Sequence, residues 1–254
     1  MKRIVLKVGS AVLSENNALA LERLSGLVDF LAQLSQKYEV ILVTSGAVAA
    51  GYTLVKLDKQ EVANKQALAA IGQPLLMSHY EREFKRYNLN CSQMLLTADD
   101  FDSRKRTQHA KNAIEVLLYH NVVAIINEND VTATDELVFG DNDQLAAHVA
   151  VFFEADLLVI LTDIEGYFDK NPRDFKDAKL LKYVHEITNE MLEIKQSPNS
   201  KFATGGIATK LKAADFILKN NGQMFLASGF DLNSAREFLL NNNHISGTIF
   251  SKEK

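Results

Sequence analysis

Ile4-Val5-Leu6-Lys7-Val8-Gly9-Ser10 opens the chain with an apolar run, a single lysine set inside it, and a turn of small residues. Aliphatic and β-branched residues that do not alternate with polar ones read as a strand covered on both faces. A strand of that kind belongs in a parallel sheet between helical layers. Gly9 and Ser10 are what a strand end needs in order to turn. Lys7 is not explained that way, because an ammonium inside a buried strand has to be paired or used.

The same pattern recurs downstream. Val40–Thr44, Cys91–Leu96, Val122–Ile126, Leu157–Leu161 and Met224–Ala227 read as further strands, apolar nearly throughout. Between them lie segments with helical spacing. Leu21–Tyr38 sets Leu24, Leu27, Leu31 and Leu34 on one face, and Phe101–His120, Asn142–Glu154 and Ile207–Asn220 behave alike. Strand and helix in alternation predict right-handed crossovers and an α/β fold with a mostly parallel central sheet between helix layers. Two stretches depart from this rhythm: Val131–Phe139 reads as a small hairpin, and Asp163–Lys179 as an ordered surface loop. With no internal repeat, low-complexity tract or break in composition, the 254 residues are expected to form a single domain, 1–254.

Composition narrows the function classes. Hydrophobic residues make up 47% of the chain, enough for a sizeable core. The net charge of −4 gives no basic surface for nucleic acid or an anionic membrane. No apolar run approaches the roughly 18–20 residues that span a bilayer. Lys7 interrupts the first apolar stretch, which argues against a secretion signal, so a cytoplasmic location is expected. Cys91 is the one cysteine, so no intramolecular disulfide can form, and its place in a strand predicts a buried, inert thiol.

Ligands of open α/β sheets bind beyond the carboxyl ends of the strands. There the sequence sets Lys7-Val8-Gly9-Ser10, Thr44-Ser45-Gly46-Ala47, Asn127-Glu128-Asn129-Asp130 and Thr162-Asp163. Gly46 to Gly51 followed by Tyr52-Thr53 has the spacing of a phosphate-binding loop, but tyrosine stands where that loop needs lysine. What remains is a helix N-terminus beside Ser45, suited to a carboxylate or a phosphate. No dinucleotide fingerprint G-x-G-x-x-G occurs. Thr204-Gly205-Gly206-Ile207-Ala208-Thr209-Lys210 is a second glycine-rich element opening a helix; it reads either as a phosphate cradle with Lys210 one turn inside, or as a flexible loop before a solvated lysine. Gly140-Asp141-Asn142-Asp143 offers more capping residues than one helix uses, and it lacks the glycine and glutamate spacing of a calcium loop. The six histidines show no metal-ligand spacing, and Arg104-Lys105-Arg106 reads as a solvated helix face.

These residues together resemble the amino acid kinase family. Lys7-Val8-Gly9-Ser10 and Leu161-Thr162-Asp163-Ile164-Glu165-Gly166-Tyr167 are similar to motifs shared widely across it. The segments Thr44 to Gly51, Lys65 to Gln73, Gln93 to Thr97, Asn127 to Asp130 and Gly140 to Asp143 are similar to those of its glutamate-phosphorylating branch. Ile207 and Ala203 depart mildly from that branch, where methionine and glycine are common. The resemblance implies a three-layer α/β/α sandwich of the carbamate kinase-like type, whose N-terminal part binds glutamate and whose C-terminal part binds ATP, and a chain without the C-terminal PUA domain that many such bacterial enzymes carry. It implies transfer from ATP to the γ-carboxylate of glutamate, the first step of proline biosynthesis. Lys7, Lys210 and Asp143 would be catalytic, and Ser45, Asp130 and Asn142 would bind glutamate. Lys7, Thr162, Asp163, Thr204, Gly205, Gly206, Ile207, Ala208, Thr209 and Lys210 would hold ATP, with Mg2+ carried mainly by phosphate oxygens and no metal ligated by the protein. Proline is the expected feedback inhibitor, and a homodimer or homotetramer the expected assembly. A γ-carboxyl ionises near pH 4.3, about three units below neutrality, so it is already a nucleophile and needs no general base. Two other readings stay open on the sequence: a family kinase for aspartate or N-acetylglutamate, and a non-catalytic amino-acid sensor.

Overall fold

The computed structural model describes residues 1–133, 142–172, 174–193 and 206–253. In chain order its elements are β1 (Lys2–Val8), α1 (Ser10–Leu13), β2 (Ser14–Glu15), β3 (Ala18–Leu19), α2 (Leu21–Leu34), β4 (Tyr38–Val43), α3 (Ala47–Leu54), α4 (Val62–Lys85), β5 (Asn90–Leu96), α5 (Ala98–Asp102), α6 (Arg104–Tyr119), β6 (Val122–Glu128), α7 (Asp143–Phe152), β7 (Leu157–Thr162), β8 (Tyr183–Val184), α8 (Asn189–Glu193), α9 (Ile207–Lys219), β9 (Met224–Ser228), α10 (Asn233–Asn241) and β10 (Thr248–Phe250).

β1 lies inside an eight-stranded sheet of order β5-β6-β4-β1-β7-β9-β10-β8. It pairs in parallel with β4 on one side and β7 on the other, so that Lys7 stands between Val43 and Ile160. Among the described residues of this sheet, only β9 and β10 pair antiparallel. The chain first builds outward from β1 through β4, β5 and β6, then returns across β1 to build β7 and its neighbours. That reversal beside β1 is the topological switch point at which such sheets bind ligands.

Strand alternation sorts the core into two layers. Val5, Ile41, Ala124 and Ile160 face one apolar cluster, with residues of α6, α7 and α9. Ile4, Leu6, Val40 and Val159 face the other, with residues of α2, α4 and α10. Lys7 shares a face with Val5 by the two-residue period, so it points toward α7 and α9. Helices on both faces of a largely parallel sheet bear out the expected three-layer α/β/α architecture.

Several boundaries differ from expectation. The helix expected over Leu21–Tyr38 stops at Leu34, because Tyr38 is taken into β4 opposite Lys2. The helix expected over Phe101–His120 divides in two. Thr97 and Asp100 close a capping box that starts α5, and Ser103 caps α6 afresh. Cys91 is half-buried rather than buried, since β5 is an edge strand; burial still pushes its thiol up to about 11, so it stays protonated. Of the expected hairpin over Val131–Phe139, Val131 to Ala133 form a turn and residues 134–139 lie outside the described residues. Asp163–Lys179 is a loop of turns and bends in its described residues, closed by a bridge between Phe168 and Leu180.

Candidate active site

The lysine that the first strand could not explain finds its partner at the start of α7. Lys7 Nζ donates to Asp143 Oδ1 at 2.6 Å, and Lys210 Nζ donates to Asp143 Oδ2 at 3.0 Å. Asp143 is 0% exposed, Lys7 1% and Lys210 4%. Buried charges of this kind persist only when paired, and here two cations share one anion. Thr209 Oγ1 adds a third donor to Asp143 Oδ2 at 2.9 Å, and Lys210 reaches back one turn to the Gly206 carbonyl at 2.9 Å. The cluster brings together two ammonium groups from opposite ends of the chain, with both oxygens of the carboxylate engaged by donors.

Asn142 is the N-cap of α7, yet its side chain makes no capping bond. Its Nδ2 donates instead to the Thr44 carbonyl at 2.7 Å and to Asn127 Oδ1 at 2.8 Å, and lies 3.4 Å from Ser45 Oγ. Its Oδ1 is buried and accepts no hydrogen bond from the described residues. A buried acceptor left unmatched is expensive in a fold built for itself alone and useful in one built to receive a donor. The expectation that this segment exceeds what a helix cap requires is thereby explained.

The network continues into residues that sequence reasoning quoted only inside motifs. Asn127 Nδ2 donates to Gln73 Oε1 at 2.8 Å, and Gln73 Nε2 donates to Gln93 Oε1 at 2.9 Å. Asn127 is the penultimate residue of β6 and meets Gln73 of α4. This relay fixes the end of β6 against α4 and so holds Asp130, three residues on. The signal available in the sequence was a polar residue at the close of an otherwise apolar strand, the same signal that singled out Lys7.

Asp130 and Ser45 line a cavity of about 220 Å3 with Ser10, Asn127, Lys59 and Lys65 on its walls. It is smaller than the roughly 300–1,000 Å3 of drug-sized sites and so suits a small metabolite. Burial pushes the Asp130 carboxyl up to about 6. Gly46, at φ +106°, turns the chain from β4 into α3, so the free N–H groups of that helix face the same cavity. Gly51 has a different task from Gly46. A Cβ on Gly51 would collide with the Leu68 carbonyl, and one on Gly72 with the Ala47 carbonyl. These two glycines let α3 and α4 cross at close range, which removes the last resemblance to a phosphate-binding loop.

Thr162 is buried at the end of β7, and its hydroxyl donates to Asp163 Oδ1 at 3.1 Å. Gly206, Ile207, Ala208 and Thr209 lead into Lys210, whose ammonium reaches the cluster, whereas Thr204, Gly205 and Asp141 lie outside the described residues. Among the described residues no group of three or more His, Cys, Asp or Glu side chains converges as a metal site, and no helix is long and apolar enough to cross a membrane.

A model of the amino acid kinase family matches residues 2–228. The chain is 58% identical over 255 residues to a glutamate 5-kinase from Wolinella succinogenes, covering 98% of each. It is 56% identical over 250 residues to a glutamate 5-kinase from Leishmania donovani, covering 98% of this chain and 95% of that one. Among solved structures, a UMP kinase from Ureaplasma parvum shares the fold with a TM-score of 0.64 at 18% identity, over 99% of each chain. An isopentenyl phosphate kinase does so with a TM-score of 0.66 at 14% identity, over 98% of this chain and 100% of that one.

Proposed function

Because the chain belongs to the amino acid kinase family, we infer that it transfers the terminal phosphoryl group of ATP to the γ-carboxylate of free glutamate. The observation that carries this reading is the pair of buried ammonium groups on Asp143, set beside a small cavity that offers one carboxylate, Asp130, and a helix N-terminus. An amino acid with two carboxylates and one ammonium matches that distribution of charge.

The chemistry follows from the charges. A γ-carboxylate oxygen attacks the terminal phosphorus, the bond to the bridging oxygen breaks, and ADP leaves with the electron pair. No proton moves, so no general base is needed. The obstacle is repulsion between two anions, and the remedy is fixed positive charge and alignment. Lys7 and Lys210 supply that charge, Asp143 with Thr209 holds them in place, and Thr162, Asp163 and the segment 204–210 hold the nucleotide. Asp130 pairs with the α-ammonium, and Ser45 and the open Oδ1 of Asn142 add contacts to glutamate. Magnesium enters as part of MgATP. Both oxygens of Asp143 are committed to donors, which leaves the phosphates as the metal's main ligands. A cytoplasmic setting, where ATP and free glutamate meet, belongs to the same reading.

The product is an acyl phosphate, which hydroxylamine converts to a hydroxamate. ADP release measured across a panel of free amino acids, with hydroxylamine present, tests the assignment. Glutamate is expected to give ADP and hydroxamate in equal amounts. A higher kcat/KM for aspartate or N-acetylglutamate would replace the substrate named here.

A further inference from the structure

The cavity wall holds a cation that the phosphoryl transfer does not use. Lys59 lines the cavity opposite in charge to Asp130. Its ammonium donates to Asn17 Oδ1 at 2.9 Å and stands 3.9 Å from the centre of the Tyr52 ring, on which Lys56 also stacks at 4.2 Å. Asn17 is presented by the tight turn between β2 and β3, where Asn16 and Asn17 both have positive φ, at 49° and 62°. Among the described residues no carboxylate forms an ion pair with Lys59. Desolvation and the neighbouring charge of Lys56 hold its ammonium below the ordinary lysine value. Lys59 is therefore tethered by a neutral amide and an aromatic face, with donor capacity left over, since an ammonium has three N–H groups.

Glutamate carries three charges, and the reading above places only two of them: the γ-carboxylate at the Lys7–Lys210 centre and the α-ammonium at Asp130. The α-carboxylate has so far only the N-terminus of α3, a partial charge, and a full cation stands on the same cavity wall. Resting on that reading, we propose that Lys59 binds the α-carboxylate of glutamate, and that the β2–β3 turn and Tyr52 are its positioning elements. The contact neutralises a partly desolvated charge and relieves the repulsion between Lys56 and Lys59. It also separates α-amino acids from acids that bear only an amine, such as 4-aminobutyrate, which keeps the ammonium and the γ-carboxylate and lacks the α-carboxylate.

The test compares wild type with Lys59→Met, Lys59→Arg and Asn17→Ala. KM is measured for glutamate and for ATP, and 4-aminobutyrate is titrated as a competitor of glutamate. Lys59→Met is expected to raise the glutamate KM roughly tenfold, as for a charged hydrogen bond at a partly exposed site. The ATP KM and the 4-aminobutyrate inhibition constant should stay within twofold. Lys59→Arg should recover most of the loss, and Asn17→Ala should show a smaller loss of the same kind. A glutamate KM within twofold of wild type in Lys59→Met, or equal loss for glutamate and 4-aminobutyrate, overturns the proposal. Wild-type protein that fails to phosphorylate glutamate overturns the underlying reading instead.

Discussion

At the scale of single residues, the site works by placing charges where water cannot screen them. Asp143 holds two ammonium groups side by side, so that both are fixed in place before an anion arrives. Asp130 shows the cost of readiness. Its carboxyl titrates near 6 in the native state against an ordinary 3.8, because burial disfavours the charge. Between those values the folded protein holds a proton that the unfolded chain has released, so stability falls as pH rises through that window. Above it the ionised group costs up to about 3 kcal/mol. An ammonium ligand needs that ionised form. The glutamate KM should therefore fall as pH rises through about 6 and level off beyond it, and Asp130→Asn should abolish the dependence while raising KM. The same substitution should raise Tm at pH 8 without substrate. A wild-type KM that stays flat from pH 5 to 8 would contradict this role.

At the scale of elements, the six long strands were legible, whereas the two- and three-residue strands β2, β3, β8 and β10 and the cross-connections were not. Runs such as Val40–Thr44 announce themselves because burial on both faces removes polar residues, and Lys7 stood out against that background. Lys210 and Thr209 were visible only through the glycines before them. Gln73 and Asn127 were hidden, because a polar residue at a strand end reads as a turn, and their pairing across α4 and β6 is tertiary. α4 itself went unassigned: its buried positions Leu68, Ala69, Gly72, Gln73, Leu76, Tyr80 and Phe84 share one face, but glycine and glutamine on that face and Pro74 beside it break the apolar period. The meaning of Gly51 and Gly72 lies wholly in the crossing of α3 and α4. Since α3 begins at the cavity, Gly72→Ala should push that helix outward, lower stability by roughly 2–4 kcal/mol as an overpacked backbone contact, and raise the glutamate KM more than the ATP KM. Thermal unfolding and steady-state kinetics check both. An unchanged Tm would show that the crossing can open freely.

At the scale of the whole molecule, the sheet brings two sets of residues to one edge. Ser45 and Asp130 come from the half built on β4 and β6, Thr162 and Lys210 from the half that begins with β7, and Lys7 from the strand between them. If the first half recognises an α-amino acid by its ammonium, proline should enter it too, since it shares the cationic nitrogen and the α-carboxylate and lacks the γ-carboxylate. Proline is expected to compete with glutamate and to leave the ATP KM unaltered. Full activity in millimolar proline at glutamate near its KM would sink that idea. The central claim is that two lysines from opposite ends of the sequence, joined on Asp143, carry the phosphoryl transfer. Turnover of Lys7→Met and Lys210→Met at saturating glutamate and ATP addresses it most directly. Each variant leaves Asp143 paired with the other lysine, so both should fold. Each should lose roughly a thousandfold in kcat, about 4 kcal/mol of transition-state stabilisation. Either variant retaining a tenth of wild-type turnover would contradict the account.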